Sequence, residues 1–187
     1  MKASIEKEFK VPHNIEKVWD YLSNPEKIAT CVPGAQITEV IDEKNFKGIV
    51  SMKFGPVSVK YNGEITMEKI DNENHEMSMV GNGFDSKGKG SASMTMKGKL
   101  KTDREETIVN YSTKVSVTGM LAQFGSRLIG DVSNQLAEQF VNNFKNKLDN
   151  PDNENVEGDT SLNAASMVGN IVKDKLGGIF RKGDKEG

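Results

Sequence analysis

"GMLAQFGSRLIGDVSNQLAEQFVNNFKNKL", residues 119–148, carries an apolar stripe too broad for a helix that lies alone on a surface. Leu121, Phe124, Leu128, Val132, Leu136, Phe140, Phe144 and Leu148 recur at intervals of three or four, and Ile129, Ala137 and Val141 widen the stripe. The spacing predicts one amphipathic helix from about Met120 to Leu148, with about seven turns and a length of roughly 40 Å. A face of that width has to be covered, so the preceding chain must supply a wide apolar surface.

That surface is readable upstream. From Ala35 to Thr118 the hydrophobic period falls to two, in six runs separated by "DEKN", "GP", "DNEN", "DSKG" and "DREE". Such turn-forming clusters between alternating runs predict hairpins, hence a meandering antiparallel sheet. "ASIEKEFKV", residues 3–11, adds a seventh strand that Pro12 ends. "HNIEKVWDYLSN" then reads as a short helix capped near Asn14, and "PEKIATCV" as a second, opened by Pro25 and stopped at Pro33–Gly34. The expected fold class is α+β, with a seven-stranded antiparallel curved sheet wrapped around a long C-terminal helix and two short helices after the first strand.

Alternation assigns the faces of the strands. Val57, Val59, Tyr61, Ile65 and Met67 share one side of their strand, and Val50, Met52 and Phe54 share one side of theirs. Met77, Met79 and Gly81 fall together, as do Ala92, Met94 and Met96, and Val109, Tyr111, Thr113, Val115 and Val117. Six of the nine methionines, at 52, 67, 77, 79, 94 and 96, are therefore expected to point at the helix. Methionine fills irregular cores and also lines surfaces that accept varied apolar partners. The pattern alone leaves both readings open, a filled core or an internal apolar cavity.

Bulk properties exclude several classes. The chain has 187 residues, 35% hydrophobic and 28% charged, which fits one soluble domain with an appendage. A net charge of -2 gives no reason to expect nucleic acid. "MKASIEKEFKV" has charges where a secretory signal needs an apolar run, and no stretch approaches the ~20 apolar residues of a membrane span. Cys31 is the only cysteine, so no disulfide framework or cysteine-based metal site is expected, and the cytoplasm is the expected compartment. "GFDSKGKG", residues 83–90, imitates a phosphate-binding loop but ends in Gly90 where a hydroxyl is required and runs into a strand. His13 and His75 stand alone at element starts and are expected to be solvated, with no metal site. Cys31 has no nearby His or Asp to make it a nucleophile, and no carboxylate pair is placed for acid–base work. No catalytic residue is expected.

The order of elements resembles the helix-grip (START-like, SRPBCC) superfamily. More narrowly, "VPHNIEKVWDYLSNPEKIATCVPGAQ", "FGPVSVKYNGEITM", "GKGSASMTM" and "GMLAQFGSRLIGDVSNQLAEQFVNNF" resemble the G-subunit family of carbon monoxide dehydrogenase. "CVPG" and "LAQFGSRLI" are the most specific segments, and the resemblance spans residues 1–148. It implies an apolar ligand held between helix and sheet by a protein that is not an enzyme. It also implies a molybdenum hydroxylase partner, of the carbon monoxide dehydrogenase type, linked to the membrane and to a respiratory quinone such as menaquinone. The ligand-lining residues expected on this basis are Phe54, Met67, Met79, Phe84, Met94, Met96, Tyr111, Val115, Phe124, Leu128 and Val132. Tyr111, Thr113 and Gln123 are candidates for the headgroup, and Ile28, Val32, Phe54, Phe84 and Phe124 for the mouth. Two other readings stand beside this one. One is a recruitment or assembly factor with a filled core, and the other is a cyclase-type enzyme.

Residues 1–148 form the expected ligand-binding domain. Residues 149–166 are polar and acidic, the composition of a flexible linker. Residues 167–187 regain apolar side chains. Ile171, Val172, Leu176, Ile179 and Phe180 are interleaved with Lys173, Lys175, Arg181 and Lys182, against one Asp174. That mixture is expected to dock on a membrane surface or a partner protein. Gly169, Gly177 and Gly178 each weaken a helix there by about 1 kcal/mol relative to Ala.

Overall fold

Alternating runs and turn clusters become seven long strands in the computed structural model, which describes residues 1–54, 57–151 and 161–162. The elements are β1 (Lys2–Val11), α1 (Ile15–Leu22), α2 (Pro25–Ala29), β2 (Ala35–Val40), β3 (Asn45–Phe54), β4 (Val57–Asp71), β5 (Glu76–Asp85), β6 (Ser91–Asp103), β7 (Glu106–Val117), a 3-10 turn (Gly119–Phe124), α3 (Gly125–Asp149) and β8 (Ser161–Leu162). The sheet runs β1-β7-β6-β5-β4-β3-β2, antiparallel at every step of that path. Two-residue β8 pairs in parallel with Lys53–Phe54 of β3. The seven strands and the two short helices are those expected. Most of the expected linker, and all of residues 167–187 with the docking residues Ile171 to Lys182, lie outside the described residues.

The C-terminal helix differs from expectation in one respect. Gly125 takes φ 81° and ψ 164°, far from helical values, and separates the 3-10 turn from α3. A residue without a Cβ adopts that left-handed φ at little cost. Leu121 therefore does not continue the face of Val132 and Phe144 and packs in a separate cluster. The remaining α3 has 25 residues and is roughly 37 Å long.

One end of the fold is closed by a filled core. Val11, Val18, Trp19, Leu22, Cys31, Phe46, Met67, Met77, Leu100, Val109, Phe144 and Leu148 pack together there. Phe144 stacks on Phe140 at 5.8 Å and meets Phe9 and Tyr21 edge-on at 6.3 and 6.5 Å. Of the strands, α3 approaches β1 most closely. Polar groups tie the same end together. Asn14 caps α1 by accepting from Lys17 N at 2.9 Å, and Asn24 caps α2 by accepting from Glu26 and Lys27 N. Lys17 Nζ donates to the Leu148 carbonyl at 2.7 Å, and Asn143 Nδ2 donates to the Cys31 carbonyl at 3.2 Å. The buried Thr107 hydroxyl donates to the His13 carbonyl at 2.7 Å.

Both histidines are more enclosed than expected. His13 Nε2 lies 2.7 Å from Asp149 Oδ1, joining the start of α1 to the end of α3. His75 packs edge-on against Trp19 at 5.4 Å. Trp19 Nε1 in turn donates to Asn72 Oδ1 at 2.9 Å. Each imidazole thus serves the closed end.

A second, smaller core lies around Val59, Tyr61, Val117 and Leu121, with Met52, Ala92, Val115 and Ile129 packed against it. The β7–α3 turn beside it is fixed by backbone contact. Gly119 has φ 72°, and a Cβ there would sit 1.8 Å from the Lys89 carbonyl oxygen.

Candidate functional site

Strand register places the inward side chains in cross-strand rows. Met67, Met79, Met96 and Thr113 form one row. Ile65, Gly81, Met94 and Val115 form the next. A third holds Met77, Gly98 and Tyr111, and beyond the second lies a row of small residues, Gly48, Gly63, Gly83 and Ala92. Side chains opposed in this way touch along one face of a sheet. Gly81 and Met94 show it directly, since a Cβ on Gly81 would lie 3.2 Å from Met94 Cγ.

The rows are not equally buried. Met67 and Met77 are 1% and 6% exposed and belong to the filled core at the closed end. Met79, Met94, Met96, Tyr111 and Val115 also point inward but remain only partly buried. Met79 and Met96 border the first core and Val115 the second, while Met94 packs into neither. An apolar patch with Met94 at its centre therefore lies between two cores on the concave face. The Met94 side chain overlies Gly81, and in the small-residue row the strands close on one another, since a Cβ on Gly63 would sit 2.4 Å from the Asn82 carbonyl oxygen.

Across from the sheet, α3 turns a mixed face inward. Val132 is buried, and Gln135 and Gln139 follow it at the three- and seven-residue spacing that keeps side chains on one face. Both glutamine Oε1 atoms are buried, and neither has a hydrogen-bond partner. A buried acceptor without a donor is costly, so such an atom in a folded protein calls for a partner. Neither glutamine is among the residues expected from the sequence. The signal is present there all the same, because they are the polar interruptions of an otherwise apolar stripe.

Several expected positions fall elsewhere. Phe84 is 69% exposed and on the outer face, paired with Asn62 and Ser91, so it does not line the concave side. The reason is the strand period, since Met79, Gly81 and Gly83 are inward and an even-numbered neighbour must point out. Met67 belongs to the closed core rather than to the open patch. Ile28 packs on the closed end, and Gln123 is exposed. The side chains of Phe54, Phe124 and Leu128 lie outside the described residues. The strand register brings together Met79, Met94, Met96, Tyr111 and Val115, and Val132 is buried on α3.

Electrostatics agree with an apolar interior. Burial pushes the Tyr111 phenol above its ordinary pKa, and burial followed by the nearby Asp85 does the same for Tyr61. Burial also raises the Cys31 thiol, with Thr30 and Lys147 opposing, and Cys31 packs as a small residue of the closed-end core. Among the described residues no group of His, Cys, Asp and Glu could hold a metal ion, and no helix is long and apolar enough to cross a membrane.

A concavity on the outer face is of a different kind. A cleft of about 730 Å³ crosses the outer face, bordered by Glu6, Glu8, Lys97, Lys99, Glu76 and Ser112. Lys69 and Lys99 bridge Glu76 there at 2.8 and 2.7 Å. Its walls are solvated ion pairs, which suit water better than an apolar molecule.

Comparison with known proteins adds independent information. The family model for CoxG, the G-subunit of carbon monoxide dehydrogenase, matches residues 8–149. No curated protein matches the sequence. Among solved structures, a conserved protein from Geobacillus kaustophilus superposes with a TM-score of 0.71 at 22% identity, over 79% of this chain and 95% of that one. A START superfamily protein from Mycobacterium smegmatis gives 0.57 at 9% identity, over 78% and 97%. The Zhui aromatase/cyclase of a Streptomyces species gives 0.56 at 10% identity, over 80% and 94%. At these identities the structural likeness establishes the START-like fold.

Proposed function

The chain belongs to the CoxG family of carbon monoxide dehydrogenase G-subunits, and from that premise we propose that it binds an apolar small molecule between α3 and the concave face of the sheet. The single observation that carries this reading is the partly buried patch of Met79, Met94, Met96, Tyr111 and Val115 between two separate cores. Inward-facing apolar side chains that stay accessible are what a ligand with a long hydrocarbon part requires. Methionine adapts its shape to such a chain at small cost. An isoprenoid quinone such as menaquinone fits this chemistry, with its tail along the methionine rows and its ring near the polar face of α3.

The family name points to a partner. A quinone-binding protein of this kind would serve a carbon monoxide dehydrogenase-like molybdenum hydroxylase by connecting it to membrane quinone. The basic and apolar segment from Met167 to Lys182 would make the peripheral contact, at the inner face of the cell membrane or on the enzyme itself. In this reading the protein carries and delivers its ligand without catalysing a reaction.

A transfer assay tests it. The full chain is mixed with vesicles containing menaquinone, the vesicles are pelleted, and the quinone in the supernatant is measured against protein. Uptake near one molecule per chain is expected. Quinone that stays wholly in the pellet at every protein concentration contradicts carriage and favours a recruitment factor with a filled core.

A further inference from the structure

We propose that the concave face binds amphiphiles with an acidic headgroup, whose carboxylate pairs with Lys7 at the β1 margin. This rests on the apolar-ligand reading above but not on its choice of a quinone. The observation is one unpaired cation on an otherwise apolar surface. Among the inward positions of the seven long strands, only Lys7 and Asp85 carry a charge. Asp85 is engaged in its own hairpin, where Oδ2 accepts from Lys89 N at 3.0 Å. Lys7 makes neither a hydrogen bond nor an ion pair among the described residues, whereas Lys10 on the same strand holds Asp103 at 2.6 Å. Its chain neighbours Glu6 and Glu8 border the cleft on the outer face.

Register ties this cation to the apolar patch. Lys7 is the direct cross-strand partner of Tyr111, which places their Cβ atoms roughly 5 Å apart on one face. Tyr111 is partly buried, and burial alone raises its phenol. The next row holds Ile5, Thr113, Met96 and Met79. Polarity therefore falls from the margin inward, from ammonium to phenol to thioethers. Lys7 itself is exposed between partly buried Ile5 and Phe9, and β1 is the outermost strand of the sheet. An amphiphile has the same gradient. Its headgroup would stay where water reaches, and its chain would lie among the methionines. A lysine ammonium only donates and is charged, so it attracts a carboxylate more strongly than a hydroxyl. An inward charge also protects an edge strand from pairing with another chain, but that role is blind to a ligand's headgroup.

The test is equilibrium dialysis of the full chain against radiolabelled laurate or dodecanol, which share a tail and differ in the headgroup, below the micellar concentration and at low salt. The unaltered chain is expected to bind both. Lys7→Gln is expected to weaken laurate binding by about fivefold and to leave dodecanol binding unchanged, the size of a solvent-accessible ion pair. Lys7→Arg is expected to keep laurate binding, and raising the salt to weaken it in the unaltered chain only. Laurate binding that Lys7→Gln does not change overturns the inference, and so does an equal loss of laurate and dodecanol, which would mark Lys7 as structural. Menaquinone uptake without laurate binding also overturns it and leaves quinone carriage standing. Binding of none of the three removes the apolar site and this inference with it. Dodecanol binding by the variant reports its folding, so a misfolded chain is not mistaken for a lost ion pair.

Discussion

Met94→Trp is expected to lower menaquinone uptake by about tenfold or more while leaving the fold intact. Met94 lies between Gly81 and Val115 in its cross-strand row and packs into neither core. Its Cγ overlies Gly81, the smallest neighbour a row can offer. An indole at this point has to project into the space between sheet and α3, where it competes with a ligand for the same volume. The thermal midpoint provides the control. If the space is a cavity, the indole fills it at little cost. If the space is already packed, overpacking costs about 1–3 kcal/mol. For a domain of this size that is roughly 2–12 °C in the midpoint. Lost uptake with an unchanged midpoint supports the account, whereas an unchanged uptake with a lowered midpoint contradicts it.

Phe144→Ala carries the largest expected effect on stability. Phe144 is fully buried where α3 meets β1 and α1, stacked on Phe140 and edge-on to Phe9 and Tyr21. Truncating a buried phenylalanine removes its transfer free energy and leaves a cavity, together about 3–5 kcal/mol. The thermal midpoint is then expected to fall by roughly 6–20 °C, read by circular dichroism. Its site belongs to the closed end, so menaquinone uptake by the folded fraction should not change. A loss of uptake larger than the loss of folded protein would mean that the closed end is part of the ligand site.

Phe144 and Met94 differ in how much of their role is legible in the sequence. The strands that carry or face them are legible because alternation and turn chemistry are local, and both survive folding: "DNEN" and "DSKG" close hairpins where expected. The break at Gly125 is hidden because Leu121, Phe124 and Leu128 keep helical spacing straight across it. Only the backbone angle of one glycine separates the two pieces. The outward placement of Phe84 follows from the parity that Met79 and Gly81 fix, so it is legible although the expectation set it inside. The division of the inward surface into two cores with Met94 between them is not legible, because it depends on which side chains meet across the fold. Gln135 and Gln139 are visible as polar residues in an apolar stripe, but the burial of their Oε1 atoms without a donor is a property of the folded chain.

The most direct measurement of the central claim is native mass spectrometry of the full chain purified from a host that makes menaquinone, followed by solvent extraction. The account predicts an added mass at one per chain that extracts as an isoprenoid quinone or its reduced form. A clean mass for the chain alone, unchanged after incubation with menaquinone, would contradict it.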